Sequence, residues 1–105
     1  MTLLLEVGVG DGEWALINQH EGGCPGSISN NTPEGREVLR FWFADGYSVV
    51  ERSIGGADTE VGEARLITTL GFEPVARLED GETYEFDMRT DRMTSAMHVR
   101  FRHER

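Results

Sequence analysis

The sequence predicts an α+β fold, a mostly antiparallel sheet of about six strands with one helix packed on it. Segments of alternating apolar and polar residues recur along the 105-residue chain, separated by turn signals at Gly10-Asp11-Gly12, Asp45-Gly46 and Glu79-Asp80-Gly81. A hairpin at 38–54 is apolar on both faces, so something must cover the second one. The stretch "DTEVGEARLITTLGFEP", from Asp58, carries helix start and stop signals.

Residues 2–9 and 13–19 read as two strands joined at Gly10-Asp11-Gly12, a first hairpin. From His20 to Gly35 the chain is dense in Gly, Pro, Ser and Asn and reads as a long ordered loop. It closes on a Thr32-Pro33-Glu34-Gly35 turn, in which proline presets the first central φ. In "VLRFWFADGYSVVERSI", residues 38–54, Asp45-Gly46 supplies the positive φ angles of a two-residue hairpin turn. That turn sets Arg40 opposite Glu51 and Trp42 opposite Val49. It also gathers Leu39, Phe41, Phe43, Val50 and Ile54 on one face. Val38, Trp42, Tyr47 and Val49 make the second face apolar too, which requires a helix or a partner over it.

The helix expected to supply that cover takes Asp58 or Thr59 as its cap, Glu60 and Glu63 in its first turn, Gly71 as its terminator and Pro74 beyond. Gly62 and the β-branched Ile67, Thr68 and Thr69 leave a strand open as the alternative over 59–70. Next, "PVARLEDGETYEFDMR" reads as a hairpin around Glu79-Asp80-Gly81, with Ala76, Leu78, Tyr84, Phe86 and Met88 on one face. Arg77, Glu85, Asp87 and Arg89 project from the other. In the last strand, "HVRFRH", Val99 and Phe101 face inward. His98, Arg100 and Arg102 face outward, where they can pair with Glu85 and Asp87. The whole, residues 1–105, reads as a single domain of ordinary size.

The formal net charge is -9. Acids outnumber bases eight to two over residues 60–88, whereas bases outnumber acids five to two over 89–105. Such a chain repels phosphate backbones, so the sequence predicts no nucleic-acid partner, and it is attracted to a basic protein surface. All ten basic residues are arginine. The opening "MTLLLEVGVGDGEW" lacks a basic leader and its apolar run is broken by Glu6, so neither a signal peptide nor a membrane span is expected. A lone cysteine forms no internal disulfide, and a cytoplasmic site is the default reading.

"HEGGCPGS", residues 20–27, sets that cysteine, Cys24, four residues after His20. A nucleophilic Cys24 needs His20 folded back as its base. A phosphate-handling cysteine loop also needs an arginine just downstream, where Ile28, Ser29, Asn30 and Asn31 stand. Zinc needs His98 and His103 to converge on the same pair from the far end. "GVGDG", residues 8–12, is followed by no helix and no base, and Asp11 and Glu13 repel phosphate. The sequence thus predicts no catalytic residue, no cofactor and no metal.

The succession "VGVGDGEWALINQ", "PGS", "EVLRFWFADGYSVVERS" and a helix from Asp58, about residues 5–74, resembles a family of immunity proteins from bacterial polymorphic toxin systems. The resemblance implies a non-enzymatic inhibitor that binds and blocks a toxin, and it carries over no individual residue. "LGFEPVAR" with "TYEF" is similar to a segment of the triphosphate-binding tunnel enzymes. Their alternating Glu and Lys motif on the first strand is missing here, where only Glu6 stands, and that reading is set aside.

The expected function is therefore that of a small acidic, non-enzymatic protein-binding inhibitor of the toxin-immunity or phage anti-defence type. Trp42, Tyr47, Glu79, Asp80 and Glu82 are its expected partner-binding residues. The alternatives are an assembly subunit of a phage-like particle, with the same surface packing on further copies as a homo-oligomer, and a small-molecule-binding domain.

Overall fold

A computed structural model describes residues 1–61, 64–69 and 71–105, and the side chains of 1–55 and 71–105 among them. Its nine strands are β1 (Thr2–Gly10), β2 (Glu13–His20), β3 (Gly26–Thr32), β4 (Gly35–Ala44), β5 (Tyr47–Val61), β6 (Ala64–Thr69), β7 (Glu73–Leu78), β8 (Thr83–Met88) and β9 (Met97–Glu104). One sheet has the order β2-β1-β9-β8. The other runs β3-β4-β5-β6, with β7 paired to β5 as well, and all pairings are antiparallel.

The fold is thus all-β among the described residues, and the expected α+β class is corrected. Where a helix was expected from Asp58, β5 continues to Val61 and the chain returns as β6, pairing Asp58 with Ile67 and Val61 with Ala64. The capping signals around Asp58 are local and worth little each. Val61, Ile67, Thr68 and Thr69 are β-branched, and pairing with a long neighbouring strand outweighs the caps. Gly62, Glu63 and Leu70 of that expected helix lie outside the described residues.

Two further expectations are corrected. The loop expected over 20–35 contains β3, which pairs with β4 from Gly26↔Phe41 to Thr32↔Gly35. Its serines and asparagines resemble loop composition, yet Ile28 and Asn30 face inward on alternate positions as in any strand. The expected hairpin around Glu79-Asp80-Gly81 instead carries the chain from one sheet to the other, since β7 pairs with β5 and β8 with β9. Backbone bonds from Gly81 N to His103 O (2.8 Å) and from His103 N to Glu82 O (3.1 Å) fasten the crossing to β9. The faces survive the change of partners: Leu78 is buried, and Ala76, Tyr84, Phe86 and Met88 pack on the core from opposing sheets.

The hairpin at 38–54 keeps its expected register, Arg40↔Glu51 and Trp42↔Val49. Asp45 and Gly46 both have positive φ, 44° and 91°, as a two-residue turn with the twist of its strands requires. The first hairpin turns in the same way at Asp11 and Gly12.

The two sheets meet through Leu3, Leu5, Val99 and Phe101 from one side and Leu39, Phe41, Val50 and Leu78 from the other. Phe101 reaches across to Phe41, their ring centroids 5.0 Å apart, and stacks on Phe86 of its own sheet at 5.5 Å. At one margin Asn30 on β3 stitches the sheets: its Nδ2 donates to Asp87 O at 2.8 Å, and Arg89 N donates to its Oδ1. Among the described residues no helix is long and apolar enough to cross a membrane.

Candidate functional site

The outer face of β4, β5 and β7 brings together two of the residues expected to bind a partner. Trp42 and Tyr47 share this face by alternation, both half-buried, and no helix among the described residues lies over them. Arginines dress the rings instead. The Arg40 guanidinium lies 4.0 Å from the Phe72 ring centroid and 5.6 Å from that of Trp42, while its Nη2 donates to Glu51 at 2.6 Å. Arg77, opposite Val49 on β7, stands 3.5 Å over Tyr47. Each such stack is attractive through the ring quadrupole, so the rings and guanidinium groups hold one another in place before anything binds.

The expected acidic residues lie beside this face. Glu79, Asp80 and Glu82 are all exposed on the crossing between β7 and β8. Glu82 accepts from Glu79 N at 2.9 Å, and Asp80 accepts from Arg105 N at 3.1 Å. Tyr47, Arg77, Glu79 and Asp80 line a shallow hollow of about 300 Å³ with Arg105. Tyr47 is thus in one place with two of the acids, and Trp42 lies further along the same face.

In the Cys24 loop, His20 is not set against the thiol. Cys24 is exposed, and His20 Nε2 meets its backbone carbonyl at 2.9 Å rather than its thiol. The His20 ring stacks on Phe43 (5.7 Å) and stands edge-on to Phe41 (5.2 Å), which makes it a lid on the core. His98 and His103 do not converge on it. His98 is held on the opposite strand face between Asp87 and Glu85, each 3.0 Å from one ring nitrogen. These two carboxylates, Asp87 first, raise its pKa above the ordinary imidazole value. No group of three His, Cys, Asp or Glu side chains among the described residues is placed to hold a metal.

Arg100 and Arg102 were expected to meet Glu85 and Asp87. They converge on buried Glu6 instead, donating to its Oε1 at 3.1 and 2.9 Å. Burial opposes ionisation of Glu6, but the hydrogen bonds from Arg102 and Arg100 outweigh it and hold the carboxyl below its usual range.

A second concentration of polar groups escaped the sequence reading. Glu37 and Arg52 lie on the inner face of β4 and β5, in step with Leu39 and Val50. Glu37 is buried and accepts from Asn30 Nδ2 at 3.0 Å, and its Oε2 is 3.8 Å from Arg52 Nε. The signal was present in the alternation that placed Leu39, Phe41, Val50 and Ile54 inward, because the same count turns a glutamate and an arginine into the core. Charges are rare at such positions unless paired.

Fold and surface together define a two-sheet antiparallel β protein with an arginine-stacked aromatic face. The chain matches no protein-family model, no curated protein and no solved structure, so the likeness to immunity proteins rests on its short motifs alone.

Proposed function

We propose that this chain is a non-enzymatic protein-binding inhibitor that blocks a partner through the outer face of β4, β5 and β7. The observation that carries the reading is the composition of that face: Trp42, Tyr47, Arg40 and Arg77 are of the residue types that dominate binding energy at interfaces, and they are already ordered by mutual stacking. Preordering lowers the entropy lost on association. The acids at 79–82 and the net charge of -9 favour a basic partner surface and act mainly on the encounter rate.

The test is capture from a lysate of the source organism, then purification and titration of whatever basic protein is retained, with its activity measured free and bound. Trp42→Ala should weaken binding by more than about 2 kcal/mol, and Glu79→Arg should slow association and reduce its salt dependence. Melting temperatures are measured on the same samples. A folded Trp42→Ala protein that binds at full strength would remove this face from consideration, and a partner whose activity is untouched in the complex would remove inhibition. Solution mass separates the assembly-subunit reading, which a stable monomer disfavours.

A further inference from the structure

The inner face of the second sheet changes character along its length. It is apolar at Phe41 and Val50, then charged at Glu37 and Arg52, and beyond them the sheets part. A cleft of about 580 Å³ opens there between β3, β4, β5 and β8, within the size range of small-molecule sites. Tyr84 and Phe86 line it with rings 5.8 Å apart and inclined by only 21°. Buried Glu37 and half-buried Arg52 supply charges to it, with Asn31 and Arg89 further along its lining.

We propose that this cleft binds a neutral saccharide. The cleft carries charges of both signs, Glu34, Glu37 and Asp87 with Arg52 and Arg89; Glu37 faces Arg52, and Arg52 Nη2 is engaged by Glu73 at 2.9 Å. An anionic ligand would meet Glu37, and a cationic one Arg52, so neither gains from its charge. A purely apolar ligand would cover the Glu37 carboxylate and the Tyr84 hydroxyl without offering either a hydrogen bond, which is unfavourable. Hydroxyl groups both donate and accept and can satisfy a carboxylate, a guanidinium and a phenol together. The C–H face of a pyranose ring matches the apolar surface of Tyr84 and of the Phe86 rim beside it.

The groups are also held in advance. Asn30 donates both amide hydrogens, to Glu37 and to Asp87 O, and accepts from Arg89 N, and so acts as a positioning residue that fixes the Glu37 carboxylate. Burial, and next the Glu37 carboxylate, pushes the Tyr84 phenol above its ordinary pKa, which keeps it an O–H donor across the neutral range. Alternation turns Glu37 and Trp42 to opposite faces of β4, so this site and the proposed protein-binding face are independent.

The test is NMR titration of the isotope-labelled protein with glucose, galactose, mannose, maltose and cellobiose, beside the charged analogues glucosamine and glucuronate. At least one neutral sugar should give saturable shifts centred on the lining residues Glu37, Tyr84, Phe86 and Asn31, and bind more tightly than its charged analogues. Glu37→Gln and Tyr84→Ala should weaken it about tenfold or more, equivalent to about 1.4 kcal/mol, and Trp42→Ala should leave it unchanged. Tyr84→Phe, which keeps the ring and removes only the hydroxyl, serves if Tyr84→Ala does not fold, and should weaken binding severalfold. The absence of saturable shifts with every neutral sugar, tighter binding of glucuronate or glucosamine, or binding unaltered in the folded Tyr84 variants would overturn the proposal.

Discussion

His103 Nδ1 lies 2.7 Å from Ser48 Oγ, and both side chains are fully buried. The bond joins β9 of one sheet to β5 of the other within the interior between them. The ring stands edge-on to Phe43 at 6.2 Å, and its Nε2 is buried without a hydrogen-bond partner among the described residues. With one nitrogen already desolvated and unpaired, the serine is what offsets burial of the other.

Ser48→Ala should therefore lower stability by about 1–3 kcal/mol, because it strands a second buried polar atom. The double variant Ser48→Ala, His103→Leu removes both partners and should recover part of that loss, since an apolar pair carries no unmet hydrogen bond. Urea midpoints at constant slope report both. A Ser48→Ala protein as stable as wild type would show that the bond contributes nothing.

Gly26 is fixed by a neighbour rather than by its own backbone. A Cβ there would sit 2.3 Å from Phe41 Cε2, and Phe41 is itself packed against Phe101 and His20. Gly26→Ala should cost about 1–3 kcal/mol through overpacking. Gly23→Ala, where nothing lies within 4 Å, should stay within about 0.5 kcal/mol of wild type. Equal midpoints for the two would mean that the Phe41 ring yields freely.

What was legible in the sequence was local. Asp45-Gly46 demands one turn type, that turn fixes one register, and the pairing of Arg40 with Glu51 follows without knowledge of the rest. What was hidden depended on distant partners. β3 is a strand because β4 lies beside it, not because Ser27, Ser29, Asn30 and Asn31 favour one. β7 and β8 flank a turn signal that suits a hairpin, yet each finds a longer neighbour in a different sheet. The Glu37 and Arg52 pair was visible to counting alone, since alternation put both beside Leu39 and Val50. Trp42 and Tyr47 were placed on one face correctly, but their arginine cover was not foreseen, because Arg77 arrives on a strand that was assigned to another partner.

Cys24 should be dispensable. Its contribution to the loop is the backbone carbonyl that meets His20 Nε2, and Cys24→Ser keeps that carbonyl, so the denaturant midpoint should move by no more than about 0.5 kcal/mol. His20→Ala removes the hydrogen bond and the contacts with Phe41 and Phe43, and should cost about 1 kcal/mol or more. Thiol reactivity with a small disulfide reagent should be that of an ordinary exposed cysteine. Loss of partner binding in a folded Cys24→Ser protein would reopen the thiol as a functional group.

The outer face of the first sheet should make stability depend on pH from both sides. Glu6, held below its unfolded pKa by Arg102 and Arg100, stabilises the fold above the unfolded carboxyl value of about 4.3, and this contribution is lost as pH falls through its folded value. His98 works in the opposite sense. Asp87 and Glu85 raise its folded pKa, so its contribution is fully present below the unfolded imidazole value of about 6.5 and is lost as pH rises through the folded one. Stability should accordingly be greatest between about pH 5 and 6.5, decline on the acid side with Glu6 and decline on the neutral side with His98. Urea midpoints measured from acid to mildly alkaline pH on wild type, Glu6→Gln and His98→Gln separate the two limbs. Glu6→Gln should flatten only the acid limb, and His98→Gln only the neutral one. His98 is half exposed, so its limb should also shrink in high salt, whereas the limb of buried Glu6 should shrink less. A His98→Gln protein that follows wild type through neutral pH would show that the two carboxylates beside the ring add nothing to folding.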